Sequence, residues 1–238
     1  MSTPDFFIHG YKVVKVFGIE FQITTTHVCM AFIIAIILLF ALFANRAIRK
    51  ADPTKAPGAF LNVIECMVEK IDGMLLTNMG SNLGPRFANY VGTIFIFILL
   101  CNLSGLLGLR PPTADYGVTL PLALVTFFLI EYQGIKAQKW GKLKGLFEPV
   151  FLFFPVNLIS EFATPLSMSL RLFGNLLSGT IMMALVYGLL PKVALIIWPA
   201  ALHAYLDVFA GALQAYVFAM LTMSFIRNAV EDLSLIHI

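Results

Sequence analysis

Ser167-Met168-Ser169-Leu170-Arg171-Leu172-Phe173-Gly174-Asn175-Leu176-Leu177-Ser178-Gly179 sets one arginine in an otherwise uncharged run. The run extends well beyond these residues. Over 149–190 only Glu161 and Arg171 carry charge, and after Lys192 the stretch 193–226 holds Asp207 alone. A bilayer-spanning helix needs ~20 apolar residues, and both stretches are longer than that. A straight helix over 193–226 would be roughly 51 Å long against a hydrocarbon core of ~30 Å. Even a ~40° tilt does not absorb the difference. Both stretches are therefore expected to break or to lie strongly inclined, with Pro155, Pro165 and Pro199 as candidate kinks. Two long inclined helices joined around residues 188–192 is the favoured arrangement.

The rest of the chain is of the same kind. Of its 238 residues, 59% are hydrophobic and 12% charged, half the ~25% charge of an ordinary soluble domain. Mean hydropathy is +0.88. So little charge cannot cover a soluble globule, which excludes a soluble enzyme, a disordered chain and a coiled coil in favour of an integral membrane protein. The net charge of +3 does not point to nucleic acid, because the basic residues sit at the ends of apolar segments and form no patch with interleaved aromatics. Cys29, Cys66 and Cys101 are isolated and read as small buried hydrophobes, with no disulfide or metal role. The first ~25 residues, with Asp5, His9, Lys12, Lys15 and Glu20, lack the pattern of a cleavable signal peptide.

Three further apolar segments cover 28–44, 87–109 and 118–135, the last with Glu131 near one end. Each suits one crossing. Residues 59–79 differ: Phe60, Ile64, Met67, Val68, Ile71 and Leu75 recur at helical spacing, with Glu65, Glu69 and Asp72 on another face. This is an amphipathic helix, lying either at the membrane interface or against the protein itself. Arg110-Pro111-Pro112-Thr113-Ala114-Asp115-Tyr116-Gly117 forces a loop. Arg46, Arg49, Lys50 and Lys55 follow the first segment, and Lys136, Lys139, Lys142 and Lys144 follow the third. The positive-inside rule then places the N-terminus outside and the C-terminus in the cytoplasm. The expected fold is an all-α integral membrane protein with about three steep transmembrane helices, one amphipathic interfacial helix and a long, strongly inclined two-helix hairpin. Its divisions are 1–27, an extracytoplasmic segment; 28–145, transmembrane and interfacial helices; 146–228, the inclined hairpin; and 229–238, a tail. Residues 233–238 are given no role.

Arg171 is costly where it stands. An arginine at the centre of a membrane helix costs roughly 2.5–3.5 kcal/mol on insertion scales. No acid lies within a turn of it, and Glu161 is ~15 Å away along a helix. The counter-charge must come from another helix, another chain or water. Asn157, Ser160 or Glu161, Thr164, Ser167, Arg171, Asn175 and Ser178 recur at steps of three and four, forming one polar stripe. A sparser stripe, His203, Asp207, Gly211 and Gln214, marks the second stretch. Such stripes suit water-filled cavities inside the membrane. Plainer readings exist for each part: Arg171 and Asp207 pairing across the hairpin, hydroxyls bonding between helices, His203 as a packed histidine, Glu131 as an interface marker.

A guanidinium keeps its proton at any working pH. It can gate an ion path by repelling cations and favouring the ionised form of a carboxylate beside it. Carboxylates and imidazoles such as Asp207, Glu161 and His203 can pass protons. An ion pathway with a fixed positive gate is the first reading. A secondary transporter or channel using Arg171 to bind an anionic substrate is the alternative, but such transporters usually carry internal repeats and none is found. Intramembrane catalysis lacks a metal cluster or nucleophile motif, and no GxxxxGK[ST] loop suggests nucleotide binding.

Leu170-Arg171-Leu172-Phe173-Gly174-Asn175 closely resembles subunit a of F-type ATP synthases. So do Pro155-Val156-Asn157-Leu158-Ile159-Ser160-Glu161, Pro112-Thr113-Ala114-Asp115 and Leu213-Gln214-Ala215-Tyr216-Val217-Phe218. The resemblance implies a stator subunit in which Arg171 faces the membrane carboxylates of a rotating ring of c subunits and separates two aqueous half-channels. Asn175 and Gln214 match motif positions near that arginine, and Glu161 matches an upstream acid. Two positions depart from the pattern of many bacterial relatives: Thr180 stands where an acid follows the arginine, and Asp207 where a histidine precedes the glutamine. Asp207 is therefore expected to supply the relay carboxylate, with His203 one turn earlier. Ser167, Ser178, Thr180, Asn157 and Glu131 are further candidate pathway groups. The implied partners are the c-ring, the peripheral-stalk b subunit and the lipid bilayer of a bacterial plasma membrane. No cofactor, metal, nucleic acid or nucleotide is expected on this chain. The ion, proton or sodium, is left open, with protons favoured.

Overall fold

A computed structural model describes residues 10–16, 19–51, 58–138, 141, 152, 154–189 and 198–231. Asp5, His9, Lys55, Lys139, Lys142, Lys144, most of the 188–192 turn and the 233–238 tail lie outside the described residues. The membrane body is helical. Five helices are long and apolar enough to cross a bilayer: Thr25–Lys50, Ala59–Leu107, Tyr116–Gln138, Phe154–Leu189 and Ala201–Val230.

Ahead of the first crossing stands a small antiparallel hairpin, β1 (Gly10–Val16) and β2 (Ile19–Thr24). It leads straight into α1 (Thr25–Lys50), where the Thr24 hydroxyl lies 2.7 Å from His27 Nδ1. Arg49 and Lys50 close α1 where the helix dipole is negative. Only a narrow face of α1 is covered, with Cys29 and Ile33 packed on Cys101. Val28, Phe32, Leu38, Leu39 and Leu42 are exposed, as expected of side chains that face lipid rather than water.

Helix α2 (Ala59–Leu103) is two helices joined at Gly80, whose φ of 73° and ψ of 174° lie outside helical space. The arms fold back on each other. A Cβ at Gly84 would stand 3.3 Å from the Leu75 backbone, and one at Gly92 would stand 3.5 Å from the Ile71 side chain. The amphipathic stretch 59–79 therefore packs its Leu75 and Met79 into the protein and leaves Glu65, Glu69 and Asp72 exposed.

A 3-10 turn (Ser104–Leu107) and a second (Pro112–Ala114) carry the chain to α3 (Tyr116–Gln138). Helix α4 (Phe154–Leu189) follows, 36 residues without interruption. Pro165 lies inside α4 and does not end it. Pro155 and Pro199 sit in the first turns of α4 and α5, where a missing N–H leaves no bond unmade. The last stretch is α5 (Trp198–His203), a π-helical segment (Ala204–Ala210) and α6 (Gly211–Glu231). Its irregularity thus falls at Asp207 and not at Pro199.

Two packed layers hold the body. One joins Leu75, Met79, Phe87 and Val91 of α2 to Ile130 of α3 and to Ala219, Met223 and Ile226 of α6. The other joins Ile94, Ile98, Ala123, Met168, Leu172, Ala215 and Phe218, and so ties α4 to α2, α3 and α6. Polar ties across these layers include Tyr90 to Thr126 at 2.8 Å, Gln138 to the Ala229 carbonyl at 3.1 Å, and Arg227 to the Asn78 carbonyl at 3.2 Å.

Candidate functional site

Helix α4 buries Met168, Leu172, Leu176 and Met183 at steps of four, four and seven, which leaves the opposite face outward. Arg171, Ser167 and Ser178 are exposed there, Thr180 is exposed nearer the packed side, and Asn157, Glu161, Thr164 and Asn175 are half-buried. Among the described residues, no hydrogen bond or ion pair reaches the Arg171 guanidinium, and the Arg171–Asp207 pairing is not formed. Hydroxyls of the stripe turn to their own helix. Ser178 donates to the Asn175 carbonyl at 2.9 Å and Thr164 to the Ser160 carbonyl at 3.3 Å, and off the stripe Thr180 donates to the Leu176 carbonyl at 2.6 Å, the back-bonding that Ser and Thr make inside helices. Glu131 is half-buried on α3.

Asp207 occupies the middle of the π segment. A π turn is wider than an α turn and disrupts the regular backbone ladder, and such turns gather at functional positions. Two asparagines reach the carbonyls at its end. Asn102 donates from Nδ2 to the Gly211 carbonyl at 2.8 Å, and its Oδ1 accepts from the Thr113 hydroxyl at 2.8 Å. Asn175 Nδ2 makes a longer contact of 3.5 Å with the Ala210 carbonyl. Asn175, one turn beyond Arg171, thus links the arginine helix to the end of the π segment.

The Asp207 carboxylate is 15% exposed and lies 2.5 Å from His203 Nδ1. A Cβ at Gly105 would meet its oxygens at 3.0 and 3.2 Å. Only glycine allows that approach without displacement. His203 Nε2 lies 3.2 Å from the Tyr187 hydroxyl at the end of α4. Gln214 is buried on α6. The loop block Pro112–Ala114 is also buried, and Tyr116 beside it meets Phe173 edge-on at 5.5 Å. The structure therefore brings His203 and Asp207 together and sets Asn175 against the same segment, while Arg171 stands apart on the open face of α4. Tyr187, Asn102, Thr113 and Gly105 were not singled out by charge or motif; Thr113 alone lay within a block of family resemblance. Among the described residues, no group of three or more His, Cys, Asp or Glu side chains could hold a metal ion.

An open cation on a long apolar helix, beside a second helix carrying a hydrogen-bonded carboxylate and imidazole, defines an integral membrane protein with ionisable groups placed for ion movement. The family described as the ATP synthase A chain matches residues 27–227. The sodium-ion-specific ATP synthase subunit a of Propionigenium modestum is 32% identical over 229 residues, 89% of this chain and 76% of that one. A chloroplastic subunit a from Stigeoclonium helveticum is 34% identical, covering 84% and 82% of the two chains. Subunit a of Listeria welshimeri is 31% identical over 93% and 98%. The chain belongs to the ATP synthase subunit a family. It thus has a place in the ATP synthase complex, as an ion-translocating component of the membrane sector.

Proposed function

We propose that this chain is the stator half of the ion motor, carrying ions between two aqueous half-channels and a rotating c-ring, with Arg171 as the gate between them. The observation that supports this best is the isolation of Arg171: an exposed guanidinium, without a partner among the described residues, midway along a 36-residue apolar helix. A charge at membrane depth requires a counter-charge, and a carboxylate on a passing c subunit supplies it from outside the chain. As a c-subunit carboxylate nears Arg171, the guanidinium favours its ionised form and releases the ion. The same cation repels ions that would otherwise leak straight from one half-channel to the other.

Asp207, His203, Glu161, Asn175 and Gln214 form the ion path in this reading, with Ser167, Ser178, Thr180, Asn157 and Glu131 as further polar groups along it. Residues 146–228 are the path-bearing unit, 28–145 brace it, 1–27 lie outside the cell, and 229–238 are a tail. The peripheral-stalk b subunit and lipid complete the surroundings in a bacterial plasma membrane, with the C-terminus cytoplasmic. Nucleotide chemistry belongs to other chains. The ion is taken as the proton, since an imidazole hydrogen-bonded to a carboxylate suits proton transfer; the Propionigenium modestum relative is described as sodium-ion specific.

The test is ATP-driven ion pumping by inverted vesicles carrying Arg171→Ala complexes beside wild type. Loss of pumping in an assembled complex is expected, together with a passive ion leak. Normal pumping by the variant would overturn the gate.

A further inference from the structure

The proposed ion path leaves Tyr187 unused. It stands on the last turn of α4, 51% exposed, with its hydroxyl 3.2 Å from His203 Nε2. His203 Nδ1 is in turn 2.5 Å from Asp207 Oδ2. A neutral imidazole has one donor nitrogen and one acceptor. With an ionised carboxylate at Nδ1, the proton belongs on Nδ1 and Nε2 is the acceptor. The phenol O–H then donates to Nε2. Both bonds select the same tautomer and hold the ring in one orientation. Such outer hydrogen bonds commonly decide which ring nitrogen of a functional histidine carries the proton.

The bond also joins separate elements. Tyr187 belongs to α4, and His203 ends α5 and opens directly into the π segment that carries Asp207. Among the described residues, the groups facing the pair are the Tyr187 hydroxyl from α4 and Gly105 from the turn after α2, which closes on the carboxylate without adding charge. Rotation of His203 would remove a donor that reaches Asp207 from one turn earlier in the chain.

We propose that Tyr187 is a positioning residue of the ion path: its hydroxyl fixes the tautomer and orientation of His203, and through it aims the Asp207 carboxylate. This rests on the reading of Asp207 as an ion-path group. A merely structural tyrosine, packed on the His203 ring at a centroid distance of 6.3 Å or sitting in an interfacial aromatic belt, needs its ring and not its hydroxyl.

Tyr187→Phe separates the two, because it keeps the ring. The measurement is ATP-driven pumping against pH by the whole complex in inverted vesicles. Tyr187→Phe is expected to assemble, to pump about five-fold more slowly, as the loss of one neutral hydrogen bond corresponds to, and to show a displaced pH profile. In a His203→Ala background the same change is expected to do nothing more. A Tyr187→Phe complex with the wild-type rate and profile overturns the inference, and so does a full additional loss on top of His203→Ala. Asp207→Asn run alongside keeps the two levels apart. If Asp207→Asn is defective while Tyr187→Phe is silent, this inference alone fails. If Asp207→Asn pumps normally, the reading beneath it fails.

Discussion

Asn102 shows what a single side chain contributes here. It is fully buried, donates to the Gly211 carbonyl and accepts from Thr113. Its backbone neighbourhood is so close to α6 that a Cβ on Gly211 would stand 3.0 Å from the Asn102 Cβ. Asn102→Ala would take from the Gly211 carbonyl the bond it receives beside its own helix and leave the Thr113 hydroxyl unsatisfied in an apolar interior, at a cost of roughly 1–3 kcal/mol. Thermal unfolding of the purified complex in detergent is expected to show that loss, and an unchanged midpoint would mean that water or lipid replaces the asparagine. The sequence could not show this residue. Arg171 and Asp207 are legible because a charge in an apolar run has no bland surroundings to hide in. Asn102 and Tyr187 take their meaning from partners 109 and 16 residues away, and an asparagine or tyrosine in a membrane helix is unremarkable until that partner is known.

At the scale of elements, α2 is the instructive case. Periodicity alone made 59–79 a helix with an apolar and an acidic face. It could not show that this helix folds back on its successor, because that depends on one backbone angle. Gly80 takes φ 73° and ψ 174°, a region open to glycine and closed to residues with a Cβ at a cost of order 1–3 kcal/mol. Space is not the obstacle, since a Cβ there would meet nothing within 4 Å. Gly80→Ala is therefore expected to destabilise through backbone strain alone, and limited proteolysis should find the α2 corner cut faster than in wild type. Equal cleavage rates would mean that the corner relaxes without cost. The prolines teach the reverse lesson: a broken helix was one of two expectations for 149–190, and α4 passes through Pro165 uninterrupted.

At the scale of the molecule, hydropathy made every long apolar segment readable, and all five long helices fall where those segments lie. The N-terminal hairpin escaped, because two short strands of seven and six residues give little periodicity to read among scattered charges. Orientation follows from the placement of lysine and arginine and can be checked with residues already in the chain. Cys66 is exposed, whereas Cys29 and Cys101 are buried. A membrane-impermeant maleimide is expected to label Cys66 from the cytoplasmic side and to leave the other two untouched. Labelling from the outer side alone would invert the topology.

The wide turn at Ala204–Ala210 is in effect one residue too many for an ordinary helix. A chain shorter by a single residue between Asp207 and Gly211 would wind regularly, and everything before the deletion would swing by about 100° relative to α6. Asp207 would leave Gly105, and His203 would leave Tyr187, although every side chain named here except the deleted one were still present. What brings the carboxylate to its place is thus encoded in length, a character that comparison of residue types column by column would pass over.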